Sequence, residues 1–196
     1  MRIFITILIL ILNLQSLTKA DEINEFEIEG ISIGDSLLDH VTENDILNNL
    51  LNYPYTSDKY YAVNIAKSKF LKLYDAIEIY LKKDDKKYIV FSIDAANFYE
   101  NRDKCLNDMD EITNDISNIF NTQKNSNKEK LQSRGDPTGT SFYYRTDWII
   151  GDRNFVAIEC YFWSQYMKDK YNNGDHLRIS ATTKELNNWL QYEAFN

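Results

Sequence analysis

Ser36 stands in "ISIGDSLLDH" (residues 31–40), where alternating apolar spacing gives way to helical spacing, and a serine at such a corner can attack an acyl carbon. That chemistry needs a base to take the hydroxyl proton, an acid to orient the base, and donors for the oxyanion. The chain has two histidines, His40 and His176. His176, with Asp175 or Asp169 as orienter, is the downstream candidate, so Ser36, His176 and Asp175 form the alternative catalytic set. The simpler role for Ser36 is an N-cap accepting from the N–H of Leu38 or Asp39, with Asp35 at the positive end of the helix dipole. The cap is favoured, and on that reading no residue is assigned as catalytic.

Gly34-Asp35-Ser36-Leu37 resembles the opening of the active site in GDSL-type (SGNH) esterases and lipases, where the serine follows the first strand. The resemblance implies a hydrolase with Ser36 as nucleophile and an Asp-x-x-His pair near the C-terminus. Here His176 has Asn173 at the position of that Asp, and His40 has Leu37. The family's Gly-x-Asn-Asp block has a partial counterpart in Ile112-Thr113-Asn114-Asp115, which lacks the Gly.

Other ligand patterns stop short of completion. Asp108 and Asp110 begin like a Ca²⁺ loop but lack the Gly at its sixth position, and Asp169, Asn173 and Gly174 lead to Ser180 where the closing Glu belongs. The histidines and cysteines are too widely spaced for a zinc site. No metal and no cofactor is expected.

Cys105 and Cys160 are the two cysteines. Each sits on the apolar face of its own segment, so a disulfide between them is expected, with two buried thiols as the alternative. Aromatic residues cluster in "YPYTSDKYY", "SFYYRTDW" and "CYFWSQY". Such clusters can stack on sugars or fill a partner's pocket. The plainer reading is that they are strand residues with one buried face.

Several elements must carry these residues. "FEIEGISIG" reads as a short strand or extended arm, and "DSLLDHVTENDILNNLLN" as helix, with Leu37, Leu38, Val41, Ile46, Leu47, Leu50 and Leu51 as its apolar stripes. Within it, Thr42 and Asp45 mark the start of a second helix. "YYAVNIA", "YDAIEIYLKK" and "KKYIVFSIDAANFY" read as consecutive antiparallel strands, with "KKDDKK" as a hairpin tip. Cys105, Met109, Ile112, Ile116, Ile119 and Phe120 then recur at intervals of three or four, the most regular amphipathic helix in the chain. A polar stretch around 122–140 reads as a mobile loop, and "SFYYRTDWII", "NFVAIECYFW" and "HLRISA" as further strands. The chain closes on a helix capped by Thr182 and Glu185, with Leu186, Trp189 and Leu190 facing inward. Runs of strands with helices at both ends and in the middle specify an α+β fold: a mainly antiparallel sheet packed against a central amphipathic helix and terminal helices.

Residues 1–20 read as a signal peptide, with Arg2, an apolar run of about a dozen residues, and small residues at Thr18 and Ala20. The run is shorter than the roughly 20 residues that span a bilayer, and no later run is longer. Removal leaves residues 21–196 as a single domain, with 20 basic against 30 acidic residues and a formal charge of −10. That acidity excludes general binding of nucleic acid or anionic lipid. The expected location is periplasmic or secreted, without embedding in the membrane.

"FEIEGISIGDSLLD", "CLNDMDEITNDI", "VAIECYFWS" and "DHLRISATTKELNNWLQYEAF", in that order, resemble an uncharacterised family of small exported proteins of AT-rich bacteria. The resemblance implies export. It departs at Phe162, where the family tends to carry an acid between its Cys-x and Trp. The Gly-x-Ser entry at Gly34–Ser36 also resembles the start of BamE-like envelope modules, whose lipid-anchor cysteine is missing here. The expected function is therefore a non-catalytic binding module for an envelope protein or cell-wall component, with a Ser36 esterase as the alternative.

Overall fold

The computed structural model describes residues 23–66, 71–119 and 127–196. The expected signal peptide lies outside the described residues. Residues 27–32 form a minimal hairpin, β1 (Glu27–Ile28) and β2 (Ile31–Ser32), turned by Glu29 and Gly30, both at positive φ. The Gly that interrupts the alternation is thus the turn itself, where glycine adopts this backbone at no steric cost. Ile28 and Ile31, cross-strand partners, are both buried.

Of the two helices expected in the next segment, only the second forms as an α-helix. Leu37–Asp39 is a single 3-10 turn, and Glu43–Asn48 (α1) is a short helix closed by the Thr42–Asp45 capping box that the spacing predicts. Leu37 and Ile46 are buried, but Leu38, Leu47 and Leu50 are exposed, so only part of the predicted stripe enters the core.

A seven-stranded antiparallel sheet follows: β3 (Tyr60–Ala66), β4 (Ala76–Lys82), β5 (Val90–Phe98), β6 (Glu129–Gln132), β7 (Phe142–Ile150), β8 (Asn154–Phe162) and β9 (His176–Thr182). Its order is β3-β4-β5-β9-β8-β7-β6. Two meanders, β3-β4-β5 and β6-β7-β8, are joined by the last strand, which pairs with β5 on one side and β8 on the other. Strand β6 lies within the polar stretch 122–140 that reads as loop; it pairs with β7 at the sheet edge, where its exposed, charged side chains are tolerated.

One face of the sheet is apolar. Ile77, Ile79, Ile93, Ile158, Leu177 and Ile179 all point to it and all are buried. Helix α2 (Arg102–Ile119) crosses this face and contributes Cys105, Met109 and Ile116, while the N-terminal hairpin closes the same core. Cys105 and Cys160 form a disulfide between α2 and β8, with Cα atoms 6.2 Å apart, compatible with an oxidising compartment. None of the described helices is long and apolar enough to cross a membrane.

The opposite face is covered at one end only. Helix α4 (Lys184–Tyr192) packs Leu186 and Trp189 onto Tyr60, Ala62 and Tyr80, and the Trp189 Nε1–H donates to Ser57 Oγ at 2.9 Å. Its N-cap is Thr183, which accepts from Leu186 N–H. The predicted cap, Thr182, is instead the last residue of β9, its hydroxyl 2.8 Å from Ser92 Oγ. A helix that the spacing does not signal, α3 (Gln165–Tyr171), opens on a Ser164 cap that accepts from Met167 N–H.

Candidate functional site

Because side chains alternate along a strand, every second residue of β3 to β9 points away from the apolar core, and register stacks these residues in rows across the sheet. Under α4 the row is Tyr80, Ser92, Thr182 and Phe155. The next holds Asn64, Glu78, Asp94, Ser180, Ala157 and Asp147. A third runs Ala76, Ala96, Arg178, Glu159 and Arg145. The outermost is aromatic: Phe98, His176, Tyr161 and Tyr143. Ala76 and Ala96 are the smallest members, and over them opens a cleft of about 320 Å³, with Glu78, Asp94 and Arg178 on one side and Phe98, His176 and Trp163 on the other. Tyr53 closes its rim, donating its hydroxyl to Glu78 Oε2 at 2.8 Å.

Glu159 is the buried anchor of the charged row, 1% exposed. Arg145 Nη1 reaches its Oε1 at 3.1 Å, Arg178 Nε reaches Oε2 at 2.8 Å, and the Tyr161 hydroxyl donates to Oε2 at 3.2 Å. Burial works against the Arg178 charge, but Glu159, Tyr161 and Asp94 around it more than offset this and hold its pKa well above the ordinary guanidinium value. Arg145 is also 3.4 Å from Asp147.

Asp94 has no such support. Desolvation by the cleft walls pushes its carboxyl up to about 7; Arg178 opposes the shift, and the nearby Glu78 and Glu159 add to it. Glu78, directly opposite on β4, is raised as well, by burial, against the hydroxyls of Tyr53 and Tyr80. Two like charges facing each other across adjacent strands destabilise a sheet, so the pair is not explained by folding.

The aromatic row is a ladder. Tyr161 stacks on Tyr143 (centroids 4.7 Å), on His176 (5.0 Å) and on Trp163 (5.3 Å). Beyond it lies a second hollow of about 880 Å³ lined by Leu131, Gln132, Arg134, Asp136 and Tyr143; Tyr161 and Trp163 line both hollows. Asp136 fixes the far wall, accepting from the N–H groups of Thr138, Thr140 and Ser141.

The residues proposed from sequence for an esterase are not brought together. Ser36 bridges Ile89 just before β5, whereas His176 pairs with Phe98 at its far end. The two partners are nine positions apart along extended chain, roughly 30 Å at about 3.3 Å per residue. The predicted cap is also absent. The Ser36 backbone is drawn into the bridge, so its hydroxyl donates to Lys87 O at 2.7 Å and no cap bond forms. Asp35 accepts from Ser32 N–H rather than facing a helix terminus.

His176 Nδ1 lies 2.8 Å from Gly174 O, and burial lowers its pKa, leaving a neutral imidazole. Asp175 accepts from the Trp163 N–H and pairs with Lys168, so it does not orient His176. Asp169 accepts from Gln165 on α3. His40 closes the 3-10 turn, its N–H donating to Leu37 O. Among the described residues no cluster of three or more His, Cys, Asp or Glu is placed to hold a metal.

Sequence reasoning singled out the aromatic segments that supply Tyr53, Tyr143, Tyr161 and Trp163, and it missed Glu78, Asp94, Glu159 and Arg178. The signal for these was available: each interrupts an otherwise apolar or aromatic strand at a position of the period-two pattern. No protein-family model, curated protein or solved structure matches the chain.

Proposed function

We propose that this protein is an exported, non-catalytic binding module that holds a cell-wall fragment in the groove on the open face of its sheet. The observation that carries this reading is the concentration of unbalanced polar groups and aromatic rings over Ala76 and Ala96, on the part of the face that α4 leaves uncovered. A concave site with an aromatic wall and a few placed polar groups is the usual form of a ligand pocket. Cell-wall fragments offer sugar rings to aromatic side chains and charged groups to the carboxylates and arginines.

Both hollows share the Tyr161–Trp163 wall, so an extended ligand lying across these rings would reach polar groups on either side. The acidic net charge disfavours nucleic acid as the occupant. The disulfide accords with function outside a reducing cytoplasm.

The test is a titration of the protein with soluble, enzymatically released cell-wall fragments, followed by tryptophan fluorescence and calorimetry. Saturable binding that Tyr161→Ala weakens at least tenfold supports the reading. Absence of saturable binding by the unaltered protein overturns it.

A further inference from the structure

We infer that the cleft over Ala76 and Ala96 is a subsite for a primary ammonium group of the ligand, held between Asp94 and Glu78. The inference rests on the cell-wall reading above and goes further, since it names the chemical group recognised.

Charge bookkeeping across the face leads to it. Arg145 and Arg178 are both committed to Glu159, and Arg145 also to Asp147, so these four groups balance one another. Glu78 and Asp94 remain, opposite each other across β4 and β5, with two hydroxyls as the nearest donors to Glu78. No hydrogen-bond donor among the described residues reaches the Asp94 carboxylate, which lies half-buried in the wall of the cleft. A half-buried carboxylate without a protein donor is only partly compensated by solvent, and an incoming cation can pair with it.

The walls fit the same occupant. Tyr53, Phe98, His176 and Trp163 surround the opening, and aromatic faces attract cations most strongly in desolvated sites. An ammonium offers three N–H donors and a positive charge to Asp94, which has no donor of its own, and to Glu78, which has only hydroxyls. The two small side chains beneath leave the depth for it to enter.

A primary ammonium in a cell-wall fragment comes either from a de-N-acetylated amino sugar or from a diamino-acid side chain of the peptide. Four probes separate these sources by calorimetry at pH 7.5: a glucosamine tetramer, its fully N-acetylated counterpart, an alanyl-lysine dipeptide acetylated at its N-terminus, and the same dipeptide acetylated at Nε as well. The expected result is that at least one amine probe binds ten times or more tightly than its acetylated partner. Asp94→Asn, which keeps size and removes charge, should reduce that ratio below twofold, and Glu78→Gln should reduce it in the same direction. Circular dichroism of both variants confirms that they are folded.

Equal binding of amine and acetylated probes overturns the ammonium subsite and leaves the cell-wall reading standing. An amine preference that survives both substitutions also overturns it. If neither the four probes nor the soluble cell-wall fragments bind, both fail together.

Discussion

Glu78 and Asp94 face each other directly across β4 and β5, two carboxylates on the sheet face that the hydrophobic core does not use. Their opposition is built by the backbone: once the strands pair in register, alternation leaves neither residue another direction to point. The energetic consequence is a site whose charge is not balanced from within.

Asp94 gives the stability curve a definite slope. Its folded pKa of about 7 lies above the ordinary value of 3.8, so the folded state binds more protons than the unfolded state between those values. Stability from this group is complete below about pH 4 and is lost as pH rises towards 7. His176, lowered by burial, acts in the opposite sense and loses stability as pH falls below 6.5. Urea unfolding of the unaltered protein and Asp94→Asn at pH 4.5, 6 and 7.5 isolates the first term. The variant should gain relative stability as pH rises, by up to a few kcal/mol; parallel curves would show that Asp94 ionises normally.

Glu159→Gln should be severe. It leaves the Arg145 and Arg178 guanidinium groups facing a neutral amide at a buried position, and breaking such a pair costs about 3–5 kcal/mol. Asp152→Asn, at the exposed Lys184 pair, should leave the unfolding midpoint unchanged. Similar midpoints for the two variants would contradict the weight given to burial.

The disulfide closes a sequence separation of 55 residues between α2 and β8. Cys105→Ala combined with Cys160→Ala should lower stability by about 4 kcal/mol if restriction of the unfolded chain is the main effect. A loss below about 1 kcal/mol would show that packing of α2 on the sheet holds the two elements without the bond.

Ser36→Ala tests the role of a hydroxyl 2.7 Å from the Lys87 carbonyl. The expected outcome is a loss of about 1 kcal/mol, with ligand binding in the groove unchanged. Ester hydrolysis by the unaltered protein that disappears in Ser36→Ala would reverse the assignment and restore a nucleophile.

The sequence by itself determined the fold class, the apolar strands, the central helix and the inward direction of both cysteines, because hydrophobic periodicity is local and each of these segments carries its own pattern. It placed the Thr42–Asp45 cap correctly and the final cap one residue early, since Thr182 and Thr183 offer the same hydroxyl and only the end of β9 decides between them. The edge strand β6 and helix α3 were illegible: one is polar because it has a single neighbour, the other is a short helix whose stability comes from its cap and Met167. Only the tertiary structure decided the site. Glu78, Asp94, Arg178 and Glu159 lie on four strands up to 100 residues apart, and they meet because β9 inserts between β5 and β8. The β4–β5 pairing sets Glu78 against Asp94, and the antiparallel register of β9 on β5 brings Arg178 beside them while carrying His176 a strand's length from Ser36: strand order and register are pairings between segments, and no local pattern contains them.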